Sequence, residues 1–260
     1  AVYSIMEDKI FGESGSKLVV EEFLTGPEIT VLAFTDGNVV VPMVSSMDHK
    51  RAYDNDEGLN TGGMGTIAPN PYYTNTVAKE SMEKIFIPTI KAMCSEGRRF
   101  KGCLYFGLML TPNGVKVIEY NCRFGDPEAQ VVLPLLDTDL VDIFEAIYNE
   151  KLSDLDIKWK NEYCSCVVMA SGGYPKKYLT GLEIIGLDDM GQTEGAFIYH
   201  AGTKFNDGKF YTAGGRVLGV TATGETLTAA LNKSYAAVSK INFENAHYRK
   251  DIGKKALEAN

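Results

Sequence analysis

The strongest constraint on this chain is a hairpin near its middle. Residues 103–110 read CLYFGLML, apolar on both faces, so the strand they form lies inside a larger structure. A turn at Pro112-Asn113-Gly114 leads into a second strand, Gly114–Cys122. There the pattern changes. Glu119, Asn121 and Arg123 fall at every second position and share one face, while Ile118, Tyr120 and Cys122 share the other. An inward-facing carboxylate on such a hairpin needs a partner, because isolated buried charge is very costly. Arg123 is one candidate. A magnesium ion, a hard cation that takes oxygen ligands and retains waters and phosphates, is another. A Glu–Arg pair on a solvated sheet face fits the spacing equally well.

The flanking segments are read from period and punctuation. Lys17–Glu22 reads as a short strand. Glu28–Phe34 and Val39–Pro42 read as a hairpin turning at Asp36-Gly37-Asn38. Ser45–Pro71 has no clear period and carries Gly58, Gly62, Gly63 and Gly65; it is expected to be a long loop, and loops of that length are usually functional or disordered. A helix over Asn75–Glu96 is capped by Thr74 or Asn75, ended by Gly97, and kinked or split at Pro88. Asp126-Pro127-Glu128 reads as a helix start, with Asp at the N-cap and Pro in the first turn. A second helix begins near Thr138, with Leu140, Ile143, Phe144 and Ile147 at helical spacing.

The polar stretch 151–162 marks an expected domain boundary. Beyond it come short strands at Ser165–Ala170, Phe197–Thr203, Lys209–Thr212 and Arg216–Thr221, then a helix over about Leu227–Ile241, with Leu227, Leu231, Tyr235 and Val238 on one face. A chain of 260 residues, 45 % hydrophobic, suffices for one large or two ordinary domains. The formal net charge of -8 argues against a nucleic-acid binder, which would show a basic face. It does not exclude phosphorylated small molecules, for which a few local cations and backbone amides suffice. The sequence has no apolar run long enough for a membrane span and no signal-peptide core. The five cysteines lack zinc spacing and read as reduced core thiols of a cytoplasmic protein. The chain lacks an initiator Met and starts in mid-pattern, so a piece of a longer chain is expected.

Two further segments can carry chemistry. In VVEEFLTGPE, extended backbone at Glu22–Leu24 can bond an adenine edge and Glu28 can accept from ribose hydroxyls; an ordinary strand end and tight turn is the competing reading. In DHKRAYDNDEGLNTGGMG, Asp48, His49, Lys50 and Arg51 gather both signs of charge, and the amides of 61–65 can approach an anion. The glycines match neither the P-loop nor the Rossmann pattern. A single histidine such as His49 is more often structural than catalytic.

Taken in order, EEFLTGPE, DHKR, LNTGGMG and YNCRFGDPE resemble the ATP-grasp domain of the glycinamide ribonucleotide synthetase (phosphoribosylamine–glycine ligase) family. SGGYP at 171–175, HAGTK at 200–204, GGRVLGVTA at 214–222 and YRKDIG at 248–253 resemble that family's C-terminal domain. The resemblance implies an α+β fold: an ATP-grasp domain, incomplete at its N-terminus, over 1–155, then a small mixed α/β domain over 160–260. It implies an ATP-dependent ligase of purine synthesis that joins glycine to 5-phosphoribosylamine through a glycyl phosphate, giving glycinamide ribonucleotide, ADP and phosphate. By matching positions, Glu119 and Asn121 would hold Mg2+ or Mn2+; Glu21, Glu22, Phe23 and Leu24 would line the adenine pocket; Glu28 would bind the ribose; Arg51 and Asn60 would reach the nucleotide. Asp48, Lys50 and Arg123 would act at the amine and phosphate substrates. The resemblance leaves open a fusion to other purine-synthesis enzymes.

The sequence begins after the Gly-rich, lysine-bearing segment that covers the ATP phosphates in this family, so the chain alone is expected to bind ATP poorly and to show little ligase activity. The strand before Glu119 also lacks the acid many ATP-grasp enzymes carry there, which fits the glycinamide branch. The alternatives are another ATP-grasp purine ligase, or a non-catalytic docking module of a multifunctional purine-synthesis protein.

Overall fold

A computed structural model describes residues 1–259. The first segment holds a short helix, α1 (Val2–Met6), and then runs without regular structure to residue 27, apart from one 3-10 turn at Gly12–Ser16. The strand expected at Lys17–Glu22 does not form. Val19 and Val20 are 84 % and 87 % exposed, so their β propensity finds no packed surface to act on.

The next strands match expectation. β1 (Glu28–Thr35) and β2 (Val40–Pro42) form a hairpin whose turn is tied by Asp36 Oδ1, which accepts from the amides of Asn38 and Val39 at 2.8 and 3.0 Å. The stretch expected as a structureless loop instead contains β3 (Met47–Asp48), β4 (Arg51–Tyr53), β5 (Glu57–Asn60) and β6 (Gly65–Ala68). These strands have two to four residues, too short for their periodicity to show in sequence.

α2 (Asn75–Ser81) is capped by Thr74, whose Oγ1 accepts from Val77 N at 3.4 Å. It passes through a π turn at Met82–Phe86 into α3 (Ile87–Ser95). The Ile87 amide bonds Met82 O, five residues back, and this wider turn accommodates Pro88 without ending the helical run. β7 (Gly102–Thr111) and β8 (Gly114–Asn121) follow. Then come α4 (Ala129–Val132) and α5 (Leu140–Tyr148), the latter capped by Asp139, whose Oδ1 accepts from Val141 N at 2.8 Å. Asp126 is not the expected N-cap. The Asp126–Pro127 peptide is cis, and the Asp126 carboxylate accepts from Gln130 Nε2 at 2.8 Å and pairs with Arg216.

The remaining elements are β9 (Tyr163–Ala170), β10 (Glu183–Ile184), β11 (Phe197–His200), β12 (Thr203–Asn206), β13 (Lys209–Thr212), β14 (Arg216–Gly224), α6 (Leu227–Val238) and α7 (Lys254–Glu258). The strand expected at 197–203 is thus divided, and α6 stops short of Ile241. Cys103, Cys164 and Cys166 are buried, whereas Cys94 and Cys122 are exposed, so the core-thiol expectation fails for those two. Among the described residues, no helix is long and apolar enough to cross a membrane.

Two larger antiparallel sheets run in orders β2-β1-β7-β8 and β11-β14-β9-β6-β3, and β10-β13-β12 and β4-β5 form two smaller ones. One face of the first sheet, with Val31, Leu104, Phe106 and Leu108, packs on Val77, Phe86 and Ile90 of the helical run. Its other face contributes Leu32, Phe34, Cys103 and Tyr105 to a core shared with Val131, Leu135, Ile143 and Cys166. β3 and β6 join β9, so the second sheet draws strands from both sides of residues 151–162.

A bulge decides what β8 presents. Leu108 lies opposite Val117 and Gly107 opposite Glu119, leaving Ile118 as the extra residue. Val115 and Val117 pack towards the helices, and Tyr120 packs edge-on against Phe106, with ring centroids 5.5 Å apart. The packed face is therefore Val115, Val117 and Tyr120, not the expected Ile118, Tyr120 and Cys122. The extra residue reverses the alternation, which turns Glu119 away from Val117 and towards the open side of the sheet.

Candidate functional site

The site lies where the open face of the first sheet meets the Asp48–Gly65 stretch. A small cavity of about 160 Å³ is lined by Asp48, Lys50, Tyr105, Glu119, Asn121, Arg123 and Glu128, with Thr61, Gly62 and Asp126. The β8 bulge supplies Glu119 and Asn121, and Tyr105 sits directly across the ladder from Asn121. Gly107 leaves the space beside Glu119: a Cβ there would come within 2.9 Å of Glu119 Cγ.

Two carboxylates meet at the buried end. Tyr105 Oη donates to Glu128 Oε1 at 2.9 Å and lies 3.1 Å from Thr30 Oγ1. Thr66 Oγ1 donates to Asp48 Oδ1 at 3.4 Å. Burial, and then the charge of Glu128, push the Asp48 carboxyl well above the usual range, with Lys50 opposing. Burial likewise raises Glu128, with Tyr105, Lys50 and Arg123 opposing. Such a pair cannot easily carry two negative charges; it holds a proton or calls for a cation. Burial works against the charge of Lys50, yet Glu28, Asp48 and Glu119 keep its pKa above the ordinary value. Lys50 Nζ pairs with Glu28 Oε2 at 3.0 Å.

A larger cavity of about 490 Å³ adjoins this one through Asp48 and Lys50. Glu28, Arg51, Asp56, Asn60, Tyr72 and Lys255 line it. Arg51 and Asn60 are cross-strand partners on the β4–β5 hairpin, and Arg51 Nη1 donates to Gly58 O at 2.8 Å. A third cavity of about 350 Å³ shares Glu28 and brings together Glu21, Glu22, Phe23, Leu24, Met109, Lys116, Val117 and Ile118. Glu22 pairs with Lys116. All twelve residues singled out in the sequence therefore line this run of adjoining cavities.

Some expected details differ. Among the described residues no ion pair joins Arg123 to Glu119; Arg123 Nη1 donates instead to Phe124 O at 2.8 Å. His49, which borders the larger cavity, serves as a fastening, in line with the structural reading of a single histidine. Its Nδ1 donates to Gly65 O at 3.0 Å, and its Nε2 accepts from Gly253 N at 3.1 Å, which fixes the neutral ring. Burial, then nearby Arg249, lower its pKa to about 4.

Sequence reasoning missed Tyr105 and Glu128 as site residues. Tyr105 hid inside an apolar run, and Glu128 read only as part of a helix start. It also missed the bracing from the second half. Arg216 Nη1 donates to the carbonyls of Gly62 and Asp126, each at 2.7 Å, and Tyr174 Oη accepts from Gly62 N at 3.1 Å. Gly63, at φ 113°, could not carry a side chain: a Cβ would lie 2.4 Å from Pro127 Cδ. The Gly-rich turn is thus held against the start of α4 by residues more than 100 positions away.

The side chains of Glu119 and Asn121 lie side by side, with Asn121 Nδ2 donating to Glu119 Oε1 at 3.3 Å. Among the described residues no cluster of three or more His, Cys, Asp or Glu side chains is arranged to hold a metal. A two-ligand oxygen pair fits Mg2+, which keeps waters and takes substrate phosphates as its remaining ligands.

The fold and this trough between sheets define an ATP-grasp protein. Biotin carboxylase from Campylobacter jejuni, crystallised with β,γ-ATP, overlays on 95 % of the chain with a TM-score of 0.67 at 13 % identity, which speaks for the fold alone. The profile of phosphoribosylglycinamide synthetase, ATP-grasp (A) domain, matches residues 1–129, and that of phosphoribosylglycinamide synthetase, C domain, matches residues 164–255. The chain belongs to the phosphoribosylglycinamide synthetase family. It is 48 % identical over 248 residues to phosphoribosylamine–glycine ligase of Caldanaerobacter subterraneus subsp. tengcongensis, covering 95 % of this chain and 59 % of that protein. It is 48 % identical to the trifunctional purine biosynthetic protein adenosine-3 of Gallus gallus, covering 99 % of this chain and 26 % of that protein. The crystal structure of phosphoribosylamine–glycine ligase from Thermotoga maritima gives a TM-score of 0.77 at 36 % identity, over 89 % of this chain and 56 % of that one. The chain thus spans about 60 % of the length of the bacterial ligase it matches.

Proposed function

We propose that this chain is the substrate-handling part of an ATP-dependent ligase that joins glycine to 5-phosphoribosylamine, giving glycinamide ribonucleotide, ADP and phosphate in purine biosynthesis. The observation that carries this reading is a small polar cavity, where Asp48, Glu128, Lys50 and Arg123 converge, continuous through Lys50 and then Glu28 with two larger cavities that together can take a nucleotide. The small cavity suits an amino acid with no side chain: buried carboxyls for its ammonium group, cations for its carboxylate.

In this reading Glu21–Leu24 and Met109 receive the adenine, Glu28 the ribose, and Arg51 and Asn60 the nucleotide phosphates. Glu119 and Asn121 hold Mg2+ or Mn2+, which when bound neutralises charge on the transferring phosphoryl. Lys50 and Arg123 orient the glycine carboxylate for in-line attack on the γ-phosphorus, whose bond to the ADP oxygen breaks. The amine of 5-phosphoribosylamine then forms the C–N bond as phosphate leaves. The Asp48–Glu128 pair is placed to take the proton shed by nitrogen, since burial raises both carboxyls and makes them stronger proton acceptors than free carboxylates. Burial of this pair also limits water, which would hydrolyse an acyl phosphate. We assign 1–155 to this chemistry and 160–260 to bracing it, in a cytoplasmic setting compatible with five free thiols. The chicken relative supports a setting in which other purine enzymes share the chain.

The test is ADP release by the intact native protein carrying this sequence. Release should require both glycine and 5-phosphoribosylamine and should fall at least about 100-fold with alanine replacing glycine. ADP release indifferent to glycine would sink the proposal.

A further inference from the structure

The segment from His247 to Lys255 follows all the residues discussed as ligands, yet it fixes one wall of the larger cavity. Arg249 is 1 % exposed and heads the fully buried side chains by size. Its Nε and Nη2 donate to the two oxygens of Asp251, each at 2.8 Å. Its Nη1 donates to Asp56 Oδ1 at 2.8 Å and to Arg51 O at 3.2 Å. Neighbouring contacts run the same way. Asp251 Oδ2 accepts from Asn55 N and Asp54 Oδ1 from Lys250 N, both at 2.8 Å, while His247 Nε2 lies 2.6 Å from Ala52 O.

These contacts converge on the turn at residues 54–56. Asn55 and Asp56 have φ values of 59° and 56°, in the left-handed region that non-glycine residues seldom occupy. The turn joins β4 to β5, and so sets where Arg51 and Asn60 stand. Asp56 and Lys255, themselves an ion pair, line the cavity, with Arg249 directly behind Asp56. The fork geometry matters: one planar guanidinium fixes Asp251, Asp56 and a carbonyl at once, which an ammonium cannot reproduce.

We propose that Arg249 is a positioning residue for the polyphosphate-binding wall of the larger cavity. It holds the β4–β5 hairpin, and with it Arg51 and Asn60, at the distance an anionic nucleotide requires, without touching the ligand. The inference rests on the ligase reading above.

The test compares wild type, Arg249→Lys and Asp251→Asn in the intact native protein. Arg249→Lys should raise KM for ATP about tenfold or more, because displacement of a binding group by a fraction of a bond length is costly. Its kcat should stay within about threefold and KM for glycine should not move. Asp251→Asn removes one charge yet keeps an acceptor for Arg249, and should shift KM for ATP in the same direction by less. If these variants lose only unfolding midpoint or active fraction, with KM for ATP unchanged, Arg249 is merely structural and the inference falls. Should Arg249→Lys not fold, an unchanged KM for ATP in Asp251→Asn alone overturns it. Calorimetry with Mg-ADP separates the two levels. Wild type that binds no nucleotide takes the ligase reading down together with this inference; equal binding by wild type and Arg249→Lys removes only the role of Arg249.

Discussion

The two sides of the cavity are built by opposite strategies. On one side, Glu119 and Asn121 stand on a hairpin whose register runs over β7 and β8, joined by a tight turn. Their position follows from contacts with residues close in sequence. On the other side, Asp48, Arg51 and Asn60 stand on short strands, and Lys50 on the link between two of them, in a stretch fastened by Arg249, His247, Gly253, Arg216 and Tyr174, all more than 100 residues away. The first side is set by the ladder itself. The second exists only when distant parts of the chain have come together. A change on the first side should therefore act on chemistry with little effect on folding, and a change on the second should act on both.

Glu119→Ala is the sharpest test of the first half of that statement. Glu119 is exposed and, among the described residues, its side chain hydrogen-bonds to Asn121 alone, so little folding energy depends on it. Loss of a metal-holding carboxylate removes several kcal/mol of charge stabilisation, so kcat/KM of the intact protein should fall by roughly 10³-fold or more. The unfolding midpoint should stay where it is. A variant that turns over normally would remove Glu119 from the site, and one that unfolds early would break the contrast between the two sides.

The same contrast explains what could be read from the sequence. The β1–β2 hairpin, the Thr74 cap, the β7–β8 hairpin and α6 were legible because strand alternation, turn residues and helical spacing are local signals. The strands between 47 and 68 were not, because elements of two to four residues carry no period, and β6, which ties β3 into the sheet, finds its other partner in β9, about 100 residues on. The Ile118 bulge was invisible for another reason: an inserted residue looks like ordinary alternation until the partner strand is known. Val117 and Glu119 therefore seemed to share a face that they do not share. Glu128 and Tyr105 went unrecognised because their place in the site comes from burial and from the hydrogen bond between them, which only the fold brings about. The ordered motifs, by contrast, pointed to every cavity-lining residue that they named.

His49 tests the long-range side through pH. Its folded pKa is about 4, against an ordinary value of 6.5. The unfolded chain therefore binds a proton that the folded chain refuses. The stability this confers is complete above about pH 6.5 and is lost as pH falls towards 4. A depression of this size corresponds to roughly 3 kcal/mol at the acid end. Asp48 and Glu128 have raised pKa values and act in the opposite sense, so wild type alone gives a mixed profile. His49→Gln separates them, since an amide can both donate to Gly65 O and accept from Gly253 N without titrating. Urea midpoints measured from pH 7 to pH 4 should fall more steeply in wild type than in His49→Gln. Parallel profiles would mean that His49 does not fasten the two segments as a neutral ring.

Gly107→Ala returns to the hairpin and asks how finely the ladder places Glu119. Gly107 sits opposite Glu119, and an added Cβ would stand 2.9 Å from Glu119 Cγ and 3.4 Å from Glu119 O. No φ in the left-handed region stands in the way of alanine, so the backbone accepts the change. The methyl group must instead turn the Glu119 side chain about its own bonds. That side chain is exposed and free to move, which keeps the stability change below about 1 kcal/mol. The carboxylate, however, would no longer keep its place beside the Asn121 side chain. The Mg2+ concentration giving half-maximal rate should rise about tenfold, with the saturated rate largely retained, because only the geometry of one ligand has changed. If Mg2+ dependence is unaltered while stability drops, the strand has moved and not the side chain, and the register of β7 and β8 is looser than the ladder implies. If neither changes, the open side of the sheet tolerates a displaced Glu119, and the metal is held by something other than this pair.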